Sequence, residues 1–134
     1  MDEITLLRPK GLVNSPAFSH VAVVPPGATT IYVGGQNAVD ATGALVGGDD
    51  AAAQTRQVMA NLETALAAAD ATVADLVSLS LLIVDGVDLG AAYAVAAESL
   101  GSDGDPPLVS AALVPALGVP GALLELSAIA AVLR

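Results

Sequence analysis

The sequence predicts an α+β domain, a β-sheet with two helices packed on one of its faces. Three observations carry this. Two alanine-rich stretches, 51–69 and 89–100, set apolar side chains at helical spacing. Short apolar runs bounded by Gly, Pro and Asp surround them and read as strands. The resulting order, β-β-β-α-β-α-β-β, has too few helices to cover both sides of its sheet. One face must find another cover, and a second copy of the chain is the simplest. The 134 residues fit a single domain, 1–134.

The elements follow in order. Ile4–Leu7 is a short apolar segment, turned by Arg8-Pro9-Lys10-Gly11. Residues 14–19 are rich in turn formers and read as a loop. His20–Val24 and Thr29–Val33 read as strands joined by Pro25-Pro26-Gly27, a hairpin. Gly34 and Gly35 follow at once. Paired glycines at a strand end mark a bend, a bulge or a close approach of backbone to something else.

Asp49 or Asp50 can cap the first helix, whose stripe is Val58, Leu62, Leu66 and Ala69. Thr72-Val73-Ala74-Asp75 fits a small capping box. Leu76–Val84 is a strand with Ser78 and Ser80 on one face. Asp88 can cap the second helix, with a stripe of Leu89, Tyr93, Ala96 or Ala97, and Leu100; Gly101 suits its C-terminal side. A polar loop over 102–107 leads to the strand Leu108–Val114. A turn over 115–121 leads to the last strand, Leu123–Leu133.

That last strand holds one carboxylate, Glu125, in an otherwise apolar or small run. Alternation puts Glu125 and Ser127 on the face of Leu123 and Ile129, away from Leu124, Leu126, Ala128 and Ala130. A carboxylate there must be paired, protonated or turned to a water-filled pocket. It either lines a site or sits at an exposed edge.

Composition narrows the function. Net charge is −10, and the only cations are Arg8, Lys10, Arg56 and Arg134, which form no cluster. Nucleic-acid binding needs cations against phosphates, so it is disfavoured. His20 is the only histidine and cysteine is absent, so no multi-histidine or thiolate metal site can form; no cofactor is expected. No apolar run is long enough to span a bilayer, and Met1-Asp2-Glu3 lacks the basic start of a signal peptide. The expectation is a cytoplasmic protein without a membrane partner. A 54% apolar chain with so few charges again suggests self-association.

Several motifs resemble one family. They are Gly34-Gly35-Gln36 after a strand, Thr42-Gly43-Ala44-Leu45-Val46, and Gln54-Thr55-Arg56-Gln57 with Asn61-Leu62. Leu124-Glu125-Leu126-Ser127-Ala128-Ile129-Ala130 closes the chain, and Ser15-Pro16-Ala17-Phe18-Ser19-His20 lies near its start. Together they are similar to the Rid or YjgF-type family, the reactive-intermediate (enamine/imine) deaminases, also labelled endoribonuclease L-PSP-like. The resemblance implies a chorismate-mutase-like fold assembled as a homotrimer, with small-metabolite clefts between subunits.

It also implies roles. In active members an arginine in a P-x-R-S motif grips the substrate carboxylate as a bidentate fork, and a glutamate on the last strand positions water for C=N hydrolysis. Glu125 matches that glutamate, the catalytic candidate. Phe18 matches an aromatic cleft position. Gly34 stands where active members have serine, beside Gly35. Tyr93 stands where they often have asparagine. P-x-R-S falls on Pro107-Leu108-Val109-Ser110, so Val109 replaces the arginine and Ser110 keeps the serine.

Losing a buried charge anchor costs about 2–5 kcal/mol. The chain thus resembles a branch with reduced or absent 2-aminoacrylate deaminase activity. Hydrolysis of a small imine, enamine or carbonyl compound, non-catalytic metabolite binding, and an endoribonuclease or translation-inhibitor role are the readings to separate. His20 and Arg56 are expected to be structural, Arg56 through an ion pair.

Overall fold

Strand β6 (Leu124–Val132) is the centre of the computed structural model, which describes residues 2–101 and 104–134. It pairs antiparallel with β3 (Thr29–Gln36) on one side and β4 (Leu76–Val84) on the other. Strand β5 (Leu108–Val114) adds parallel to β4, giving the order β3-β6-β4-β5. A parallel neighbour needs a crossover, and helix α2 (Leu89–Leu100) supplies it. Helix α1 (Ala51–Ala68) connects β3 to the sheet's middle and lies beside α2. The helices cover one face, as the sequence predicts.

The predicted hairpin is not formed. Strand β2 (Val21–Val23) pairs with β1 (Thr5–Leu7), whereas β3 pairs with β6. Pro25 and Pro26 carry no backbone N–H, so a ladder cannot run on through them. The β1–β2 ribbon instead reaches the β5 edge: Ser19 bridges Leu108, and Ser19 N–H donates to Pro107 O at 3.1 Å.

The core forms where α1 meets the sheet. Val58, Leu62 and Leu66 are fully buried against Leu79, Ile83, Leu124, Leu126 and Ala130. Asp50 caps α1, accepting from Ala52 N–H and Ala53 N–H, and Asp88 caps α2. The capping box of Thr72 and Asp75 is present on a single 3-10 turn, Val73–Asp75.

The α2 stripe differs from expectation. Its buried residues are Ala92 and Val95, with Ala96 and Leu100 packing against the core, while Tyr93 is 47% exposed. Small side chains let α2 approach closely, and the bulky ring is left outside. Arg56 also departs from expectation: it is exposed on α1 and makes no ion pair among the described residues. The polar loop expected over 102–107 falls partly outside the described residues.

Candidate functional site

The sheet face opposite the helices carries the chain's polar pattern. Residues 79, 81 and 83 of β4 point into the core, so Ser78, Ser80 and Leu82 point away from it. On β6, Leu124, Leu126 and Ala128 are buried, and Glu125, Ser127 and Ile129 take the open side. Register joins these into rows. Ser110, Ser80 and Ser127 stand side by side across three strands. The next row is Ala112, Leu82 and Glu125. Tyr32, 78% exposed, pairs with Ile129 at the other end. A shallow depression of about 290 Å³ lies among Tyr32, Gly34, Ser78, Ser80, Ser127 and Ile129.

The two glycines form a bulge, not a simple bend. The β3–β6 register shifts between Val33 and Gln36, with Gly34 and Gly35 as the irregular residues. They do different jobs. A Cβ on Gly35 would meet Glu125 Cδ at 2.8 Å and Oε2 at 3.0 Å, so the carboxylate lies directly over this glycine. A Cβ on Gly34 would meet nothing within 4 Å, so the site would hold a serine as readily.

Glu125 is partly buried and makes no hydrogen bond or ion pair among the described residues. The backbone around it is firmly held. Gln54, fully buried on α1, accepts from Leu123 N–H at 2.8 Å. It donates to Gly121 O at 3.0 Å and to Gly48 O. Asn37 donates to Leu124 O at 3.1 Å, and Asn61 donates to Asn37 O at 3.0 Å and to Val39 O at 2.9 Å. The helix motif that looked like a family signature thus anchors the residues just before Glu125.

Not every expected residue joins Glu125. Ser110 shares the open face. Val109 does not: it sits in register with Leu79 and packs against the helix-side core. Adjacent strand residues point to opposite faces, so Val109 and Ser110 do not share a face of the sheet. The residue on the open side at the start of β5 is Leu108, in register with Ser78. Tyr93 lies in the helix layer, behind the sheet.

Phe18 packs its ring against the edge of His20, centroids 5.4 Å apart, next to the Ser19–Leu108 bridge. That places it at the Ile129 end of the face. Glu125 is four residues away along β6, ~13 Å at about 3.3 Å per residue. One chain therefore holds Phe18 and Glu125 apart. Ser19 Oγ, beside Phe18, is buried with no hydrogen-bond partner among the described residues. His20 Nε2 donates to Val13 O at 2.7 Å.

The cations stand elsewhere. Arg8 pairs with Asp105 at 3.2 Å and Arg134 donates to the carbonyls of Ala69 and Asp70. Lys10 follows β1 and Arg56 lies on α1. None stands on the strands of the open face. Alternation alone could have exposed Leu82 and Leu108 as members of that face. The chemistry of the face is that of one carboxylate and several hydroxyls on an apolar floor.

This arrangement defines an α+β protein with a helix-covered sheet face and a carboxylate-bearing open face, pinned by a glycine bulge. The family model for endoribonuclease L-PSP matches residues 12–132, and the chain belongs to this Rid/YjgF family. Solved structures agree. A Rid-family protein of unknown function, YyfB from Yersinia pestis, is 35% identical with a TM-score of 0.84, covering 98% of this chain and 100% of that one. A member of the YjgF/YER057c/UK114 family from Mycobacterium tuberculosis is 30% identical with a TM-score of 0.65, covering 97% and 100%. YyfA from Yersinia pestis, also of unknown function, is 26% identical with a TM-score of 0.70, covering 98% and 100%. No curated protein matches the sequence. Among the described residues, no helix is long and apolar enough to cross a membrane.

Proposed function

We propose that the chain works as a homotrimer holding a small imine, enamine or carbonyl metabolite in clefts between subunits, with little or no 2-aminoacrylate deaminase activity. The observation that supports this best is Glu125, an unpartnered carboxylate over Gly35 on a sheet face that no helix covers. A second copy laid on that face would cover its apolar floor. If Phe18 and Glu125 share a cleft, as the resemblance implies, they come from two copies, because a single chain holds them apart.

For a C=N substrate, Glu125 accepts a proton from water as the water oxygen attacks the carbon. That proton then goes to nitrogen, giving a carbinolamine; Glu125 next takes the hydroxyl proton and passes it to the same nitrogen as the C–N bond breaks, so the amine leaves and a carbonyl remains. A substrate carboxylate finds no guanidinium on this face. Val109 stands at the motif position where active relatives carry one, and its neighbour Leu108 offers no cation either.

Plain binding without chemistry is the second reading. It is favoured by the lack of any other titratable side chain near Glu125 on the open side of these strands. Ribonuclease action, despite the family's label, is opposed by the net charge of −10 and the scattered cations.

Clearance of 2-iminopropionate, followed at neutral pH against an arginine-bearing relative, tests the reading. The expected rate is lower by about thirtyfold to several thousandfold, as losing an anchor of about 2–5 kcal/mol implies. Equal rates would overturn the role given to the missing arginine. Glu125→Gln abolishing turnover of any neutral imine would favour hydrolysis over binding.

A further inference from the structure

Glu125 is a carboxylate without a counter-ion. Its row partners across β4 and β5 are Leu82 and Ala112, and behind it lies Gly35. No described residue donates to it or pairs with it. All four cations are engaged or placed elsewhere, and the chain's net charge of −10 adds a negative field. A partly buried charge that loses more water when the face is covered needs a partner. Where the described residues of the chain offer none, the ligand can supply it.

We propose that the cleft of the preceding section, on whose existence this rests, selects small organic cations that carry no carboxylate: protonated amines or iminium ions. Their N–H donates to a Glu125 oxygen, a charge-assisted hydrogen bond. Their hydrocarbon body rests on Leu82 and Ala112. Ser127, next on the same face of β6, offers a hydroxyl to a polar substituent. Carboxylate-bearing imines are rejected by the same charge that attracts their decarboxylated counterparts.

The test uses three five-membered rings against the full-length protein at neutral pH: pyrrolidinium, cyclopentanone and cyclopentanecarboxylate. Amide shifts of Gly35 and Ser127 report binding. Pyrrolidinium should bind roughly tenfold or more tighter than cyclopentanone, the scale of a hydrogen bond to a charged group. That advantage should shrink as salt rises, and cyclopentanecarboxylate should not bind. Glu125→Gln should remove the cation's advantage and leave cyclopentanone unchanged. Should that variant fail to fold, Leu82→Lys places an ammonium beside Glu125; it should abolish pyrrolidinium binding and admit the carboxylate.

Cyclopentanone or cyclopentanecarboxylate matching pyrrolidinium would overturn the charge preference while leaving the cleft in place. Silence from all three probes at Gly35 and Ser127 would overturn the cleft and the preference together.

Discussion

The two faces of one sheet behave as different materials. Toward the helices, Leu79, Ile83, Leu124 and Leu126 are almost completely buried in an apolar core. On the other side the same strands show Ser80, Leu82, Glu125 and Ile129, with Leu82 and Ile129 each 37% exposed. Strand β6 contributes to both, residue by residue. The difference shows how nine residues, 124–132, can hold a fold together and still present chemistry. Alternation separates the tasks, and α1 holds the strand in place from behind.

The largest expected effect comes from breaking the helix-side face. Leu62→Ala removes a fully buried side chain and should cost about 2–5 kcal/mol, read as a lower denaturation midpoint in urea. Leu82→Ala on the open face should cost the isolated fold much less and act mainly on self-association. Equal losses at the two sites would erase the distinction between the faces.

Gln54→Ala comes next. It strands Leu123 N–H, Gly48 O and Gly121 O. The expected cost is about 1–3 kcal/mol, in urea unfolding, together with faster amide exchange at Leu123. A thermally neutral variant would show that Gln54 does not hold the start of β6.

Gly35→Ala is the most local change. Its Cβ meets the Glu125 side chain at 2.8 Å, but that chain can swing. Stability should fall by about 1 kcal/mol or slightly more, while ligand response at Glu125 is lost outright. Preserved binding would mean that the carboxylate's position over the bulge is irrelevant.

The sequence made most of the fold legible because its signals are local. Caps at Asp50 and Asp88, the box at Thr72 and Asp75, and the alternation around Glu125 depend on neighbours a few residues away. What failed depended on distance or parity. The Pro25-Pro26-Gly27 turn looked like a hairpin, but the partner of β3 lies at the far end of the chain. Tyr93 fitted a helical stripe until the smaller Ala92 and Val95 took the inner positions. Val109 was assigned by motif matching, one residue away from the strand position that faces outward. Arg56 belongs to a helix motif whose working members here are Gln54 and Asn61. Gly35's contact with Glu125 joins residues ninety positions apart, which no local pattern records.

On the proposed reading, the open face is covered by other copies of the chain, which complete the site around Glu125. Light scattering of the purified full-length protein across a dilution series tests it most directly. The expected mass is three times that of the 13.1 kDa chain. A mass of one chain at all concentrations would contradict it, leaving Glu125 on a bare sheet face and Phe18 out of its reach.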